Sequence, residues 1–159
     1  MKKSVYIETS VVSYLTSRGS RDLLIAARQE ETRELWIRLT SDFDSFVSSL
    51  VFAESESGDA EAAKRRLDAI KPFPVLQISP EAEALARHLV EVGTIPVESS
   101  EDAMHIALAA LNGIDVIVTW NFAHINNPFK RLLIRRVVEQ QGYVCPEICS
   151  PGDLLEVEE

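Results

Sequence analysis

The stretch Ser4-Val-Tyr-Ile-Glu-Thr-Ser-Val-Val-Ser-Tyr-Leu15 decides how the rest of the chain is read. Val5, Tyr6 and Ile7 are β-branched or aromatic and form a run too short for a helix, whereas Val11 to Leu15 follows a Thr9-Ser10 pair able to cap one. The pattern predicts strand, turn, helix. A buried strand that stops at an acid places a carboxylate at the carboxyl edge of the sheet, where open α/β sheets keep their binding crevice. That acid is Glu8; its alternative role is a first-turn acid favoured by the helix dipole.

Working outward, residues 20–41 read as one or two amphipathic helices with Leu24, Ala27, Leu35 and Leu39 near one stripe. A short strand is expected over 45–49, then a helix carrying Glu54, then a helix with Ala60, Ala63, Leu67 and Ile70 in step until Pro72 and Pro74 stop it. Residues 75–78 form a third strand candidate. Ser79-Pro80 is a strong helix start, followed by Ala82, Leu85, Leu89 and Val92 on one side and a stop at Gly93. Residues 99–112 make the next helix, with Ser99 as N-cap and Gly113 as its left-handed end. A strand over 116–119 leads into the loop Trp-Asn-Phe-Ala-His-Ile-Asn-Asn, and Pro128 starts a helix that runs to Gly142. Cys145 to Cys149 gives a last short strand, and Ser150-Pro151 caps a terminal helix. Strands separated by helices pair in parallel, so the fold class is α/β: a three-layer α/β/α sandwich around a central, mostly parallel sheet. Residues 1–155 are expected to form a single domain, with 156–159 as an acidic tail.

The 159 residues suffice for one core, and 46% hydrophobic with 26% charged residues is an ordinary globular composition. No apolar run approaches the roughly 18 residues that cross a bilayer, and Glu8 interrupts the apolar start too early for a signal peptide, which places the protein in the cytoplasm with no membrane partner. Cys145 and Cys149, without a second pair or a nearby histidine, read as buried free thiols rather than a zinc site. The net charge of -9 argues against gripping nucleic acid over the whole surface and leaves room for a local basic groove. Acids gathered round a metal would account for part of that charge.

Singly, each acid has a plain role. Asp102 stands three residues after Ser99, as in a capping box; Glu101 beside it is turned about 100° away round the helix. Glu54 and Glu56 read as solvated acids, and His105 lies on the side of Asp102. Collectively they suggest more: Glu8 and Glu54 follow strands, Asp102 begins a helix and Asn121 follows the strand over 116–119, so a parallel sheet would bring all four to one edge. Carboxylates that repel one another are held together by a hard divalent cation such as Mg2+ or Mn2+.

The segments Tyr-Ile-Glu-Thr-Ser-Val-Val-Ser-Tyr-Leu, Ser-Ser-Leu-Val-Phe-Ala-Glu-Ser-Glu, Ser-Ser-Glu-Asp-Ala-Met-His-Ile-Ala-Leu-Ala-Ala and Ile-Val-Thr-Trp-Asn-Phe-Ala-His-Ile together resemble the PIN domain family, of the kind found in VapC-type toxins of toxin-antitoxin pairs. The resemblance implies a metal-dependent endoribonuclease whose acids hold Mg2+ or Mn2+ and activate water. Carried over by position, Glu8 stands where the first Asp is usual, Glu54 and Asp102 match the second and third acids, and Asn121 falls where a fourth Asp is common. Thr9 and Ser10 occupy the polar turn beside Glu8. Glu8 is one methylene longer than Asp, and Asn121 is neutral and unable to act as a base. The resemblance therefore also leaves a second reading, a PIN fold with weakened catalysis acting as an RNA- or protein-binding module.

RNA needs cations near the acids. Lys130 and Arg131, with Arg135 and Arg136, cluster on the helix after the Asn121 loop, and Arg18 and Arg21 lie beyond the first helix. Thr9, Ser10 and His105 are further candidates for substrate contact. Trp120 and Phe122 are expected in the core rather than as stacking platforms. The resemblance implies a cognate antitoxin and a homodimer, for which the region near Trp36 is a candidate surface. No Gly-x-Gly-x-x-Gly or Walker loop supports a nucleotide-binding alternative.

Overall fold

The run Val5-Tyr6-Ile7 is completely buried on both faces. That burial defines the centre of a parallel sheet, and each such side chain contributes about 1.5–3 kcal/mol. In the computed structural model, which describes residues 1–157, strand β1 (Ser4–Ile7) pairs in parallel with β2 (Asp44–Ser48) on one side and β4 (Val116–Val118) on the other. Strand β3 (Val75–Leu76) lies beyond β2 and β5 (Glu147–Cys149) beyond β4, giving the order β3-β2-β1-β4-β5. Every pairing among the described residues is parallel. The chain runs outward from β1 to β3, then returns to the other side for β4. The crevice of such a sheet opens between the carboxyl ends of β1 and β4. Ile7 pairs with Val118, and the amide of Glu8 donates to the Val118 carbonyl at 3.2 Å, so Glu8 and Thr119 leave the sheet side by side.

Helices cover both faces, making the three-layer α/β/α sandwich. They are α1 (Thr9–Thr16), α2 (Leu23–Ser41), α3 (Ser49–Ser55), α4 (Ala60–Ile70), α5 (Pro80–Glu91), α6 (Ser100–Leu111), α7 (Pro128–Gln140) and α8 (Pro151–Leu155). Helix α5 packs along α6, and α2 along α8. Side-chain oxygens of Asp22, Ser48, Asp59, Ser79, Asn127 and Ser150 cap α2, α3, α4, α5, α7 and α8. Gly113, at φ +64°, ends the turn after α6 in the left-handed region that favours glycine.

Several local expectations are corrected. The buried seam of α2 runs through Gln29, Thr32, Leu35 and Leu39, which puts Leu24 and Ala27 out of phase and in solvent. Val92 is exposed because it caps α5 instead of continuing its apolar side. The third strand stops at Leu76. Ser99 makes no capping bond, since a 3-10 turn over Val97–Ser99 feeds directly into α6 and leaves Asp102 free of the expected box. The region near Trp36 keeps an exposed side: Trp36 sets its ring edge-on against Phe73 at 5.4 Å, while Ile37 beside it is exposed.

Cys145 is buried and Cys149 half-buried, and no disulfide joins them; burial pushes their thiols up to about 11 and about 12. Arg38 donates to the carbonyls of Leu155 and Val157, fixing the start of the segment expected as an acidic tail. Residues 158–159 of that tail lie outside the described residues. Among the described residues no helix is long and apolar enough to cross a membrane.

Candidate functional site

Glu8 is the residue at which β1 becomes α1. Its backbone is extended, at φ -78° and ψ 153°, so it sits at the N-cap of α1 while its side chain turns into the crevice. Two hydroxyls hold one carboxylate oxygen: Ser10 Oγ donates to Oε1 at 2.5 Å and Thr119 Oγ1 at 2.6 Å. Each hydroxyl oxygen in turn accepts a backbone amide, Ser10 from Trp120 and Thr119 from Asn121, both at 2.9 Å. The Thr9-Ser10 pair that locally looks like a helix cap is thus diverted to tertiary bonds, and α1 starts with no side-chain cap.

Glu54 arrives from α3. Ser48, the last residue of β2, caps that helix by accepting the Val51 amide, which fixes the turn on which Glu54 is carried. Thr9 Oγ1 donates to Glu54 Oε1 at 2.6 Å, and His105 Nε2 donates to the same oxygen at 2.7 Å. A carboxylate accepts only, so Nε2 carries a proton. The other ring nitrogen, Nδ1, lies 2.6 Å from Tyr6 Oη, which is 2.8 Å from Ser48 Oγ. A buried chain Ser48, Tyr6, His105, Glu54 therefore crosses from the sheet to two helices.

The charges follow this geometry. Burial works against a charged His105, but the bond to Glu54 and the charges of Glu8, Glu54 and Asp102 outweigh it and raise its pKa. For Glu54, burial works upward and is overcome by the bond and charge of His105 and by the Thr9 hydroxyl, leaving the carboxyl below its ordinary range. Burial pushes the Tyr6 phenol far up, so it stays neutral.

Ligand atoms of Glu8, Glu54 and His105 lie within 4.8 Å of one another. His105 was expected to touch substrate. It is completely buried with both ring nitrogens engaged, so it acts on Glu54 instead. The available signal was a polar ring at the centre of the run Ala103 to Ala110, in which most side chains are apolar and buried. Asp102 stands at the rim: its Oδ2 is bonded to His124 Nδ1 at 3.0 Å, while its charge still bears on His105. Asn121 directs Oδ1 to the His124 amide at 3.0 Å and thereby closes its own loop. The side chain of Glu54 is 32% exposed against 7% for Glu8, so the pocket opens on the Glu54 side.

These residues fit a divalent cation. Among the described residues, each acid spends one oxygen on hydrogen bonds: Glu8 Oε1, Glu54 Oε1 and Asp102 Oδ2. Glu8 Oε2, Glu54 Oε2 and Asp102 Oδ1 have no hydrogen-bond partner there. Oxygen donors of this kind suit Mg2+ or Mn2+, and a single imidazolium neutralises at most one of the three charges.

The expected basic contacts are largely spent inside the fold. Lys130 Nζ donates to the Thr94 carbonyl at 2.6 Å, and Arg131 donates to Asn126 Oδ1 at 2.5 Å. Asn126 in turn bonds the Thr119 carbonyl, so Arg131 supports the loop beneath Glu8 instead of facing the crevice. Arg135 pairs with Glu147 as well as Glu139. Trp120 is core, as expected, with Nε1 donating to Thr32 Oγ1 at 2.9 Å. Phe122 is not: it is 39% exposed, because β4 ends at Val118 and the ring sits well out in the loop.

The PIN domain family profile matches residues 5–126, from the middle of β1 to the end of the loop that carries Asn121. The chain belongs to the PIN domain family. Its fold is similar to that of VapBC2 from Rickettsia felis, solved bound to a DNA fragment from their promoter, with TM-score 0.59 and 16% identity over 91% of this chain and 98% of that one. It is also similar to VapC20 of Mycobacterium tuberculosis, a sarcin-ricin loop cleaving toxin, with TM-score 0.54 and 18% identity over 88% and 96% of the two chains. Comparison with curated protein sequences finds no significant match.

Proposed function

We propose that the protein is a metal-dependent endoribonuclease, the toxin of a toxin-antitoxin pair, with Glu8, Glu54 and Asp102 holding Mg2+ or Mn2+. The observation that carries this reading is the approach of Glu8 and Glu54, whose ligand atoms lie within 4.8 Å of each other beside His105, with the charge of Asp102 bearing on the same histidine and each acid keeping one oxygen unbonded among the described residues. Such an ion, when bound, lowers the pKa of water and offsets charge gathering on a phosphodiester.

The protein's own groups supply position. Ser10 and Thr119 fix Glu8, Thr9 and His105 fix Glu54, and His124 fixes Asp102. Asn121 shapes the loop beside them. Holding the acids in place before substrate arrives avoids reorganisation during the reaction. VapC20 is a sarcin-ricin loop cleaving toxin, and VapBC2 was solved bound to a DNA fragment from its promoter; by analogy we assign this chain an RNA substrate and a cognate antitoxin, and from its family alone a homodimeric, cytoplasmic state.

The deciding experiment is cleavage of single-stranded RNA with Mg2+, Mn2+ or chelator, comparing the parent with Asp102→Asn. Cation-stimulated cleavage that falls by at least about a hundredfold in the variant is the expected result. Equal cleavage by both proteins would remove Asp102 from the site. A second reading, a PIN fold used only for binding, is favoured by the neutral Asn121. It would be supported by RNA binding without cleavage under any cation.

A further inference from the structure

The negatively charged crevice raises a problem that Lys130 and Arg131 do not solve, since both are committed to internal bonds. A phosphodiester approaching three acids needs a cation at the edge of the pocket. Arg28 is the cation joined to the Glu8 clamp, through Trp120 and Ser10. On α2, its guanidinium carbon lies 5.5 Å from the ring centre of Trp120 and 5.0 Å from that of Phe122. Among the described residues the Arg28 side chain has no hydrogen bond and no ion pair. A guanidinium held against aromatic rings by cation–π attraction, with no hydrogen bond to the protein, keeps N–H donors for a further acceptor, and phosphate oxygens match them.

The position is built, not incidental. Thr32 Oγ1 donates to the Arg28 carbonyl at 2.7 Å and accepts from Trp120 Nε1 at 2.9 Å, joining that turn of α2 to the indole. The Trp120 amide is bonded to Ser10 Oγ, the hydroxyl that holds Glu8. One residue thus spans from the Glu8 clamp to the Arg28 stack, and the half-exposed Phe122 ring extends the same surface. We propose that Arg28, packed against both Trp120 and Phe122, binds a phosphate of single-stranded RNA next to the scissile one. This rests on the nuclease reading for what lies beside it.

The test has two arms, both on the full chain. In the first, anisotropy of a fluorescein-labelled oligouridylate is followed with chelator present, over a series of KCl concentrations. Arg28→Ala is expected to weaken binding about tenfold and to flatten the slope of log K against log salt by about 0.7, while Arg28→Lys, which keeps the charge without the planar fork, recovers the slope and only part of the affinity. Arg28→Gln repeats the measurement if the alanine variant unfolds. In the second arm, cleavage of the same RNA with Mn2+ is compared, and the Arg28→Ala loss is expected in KM. Unchanged affinity and slope in Arg28→Ala would overturn the assignment whether or not the parent cleaves. Weakened binding in Arg28→Ala, where the parent cleaves nothing, would keep Arg28 as an RNA contact and sink the nuclease reading instead.

Discussion

His105 Nε2 lies 2.7 Å from Glu54 Oε1 with its ring completely buried, so a histidine rooted in α6 fixes the position of an acid carried by α3. The relationship has a pH signature. The raised pKa of His105 contributes stability that is fully present below its ordinary value of 6.5 and is lost as pH rises through the folded value. The lowered pKa of Glu54 contributes stability present above its ordinary 4.5 and lost as pH falls through the folded value. With chelator present, urea unfolding should therefore give a maximum between those limits and a decline on the alkaline side. In His105→Gln the alkaline decline should flatten; an identical alkaline limb in the variant would mean the imidazolium is not held by Glu54.

Tyr6→Phe removes one hydroxyl from the middle of the buried chain and leaves Ser48 Oγ and His105 Nδ1 each short of a partner. The loss should be about 1–3 kcal/mol, read as a lower urea midpoint with an unchanged slope. A variant as stable as the parent would show that the chain is not closed through the phenol.

Glu8→Asp shortens the side chain by one carbon, about 1.5 Å, and pulls it away from Ser10 and Thr119. Although aspartate is usual at this place in the family, the variant should bind Mn2+ about tenfold more weakly by titration calorimetry, as expected when the groups that orient a ligand are lost. Tighter binding by the aspartate would show that the two hydroxyls do not set the position of the acid.

Asn121→Asp restores the common fourth acid in name only. The Asn121 oxygen is occupied by the His124 amide, an acceptor role aspartate fills equally well. Mn2+ affinity should change by less than about fivefold, the scale of a charge held away from the ion. An increase of a hundredfold would place residue 121 in the coordination shell.

The frame was legible because its signals are local. The Val5-Tyr6-Ile7 run, the Ser79-Pro80 start and Gly113 each act within a few residues, and they locate the strands and helices that carry Glu8, Glu54 and Asp102. What escaped depends on partners distant in sequence. Thr9 and Ser10 satisfy a local capping pattern, yet Glu54 claims the hydroxyl of Thr9 and the amide of Trp120 that of Ser10. His105 looks like a packing histidine until Tyr6 and Glu54 are folded against it. Lys130 and Arg131 form a cluster in sequence, but Thr94 and Asn126 take them inward, while Arg28 carries no mark in its own helix. Phe122 follows a strand closely, which reads as core; the strand simply ends sooner.

The strand order has a consequence for the newly made protein. Because the partner of Glu8 across the crevice is Thr119, a chain emerging from the ribosome displays its first acid long before the residue that steadies it has been synthesised. A product terminated before β4 would carry Glu8 without the Thr119 hydroxyl that holds it, so the crevice is completed only late in synthesis.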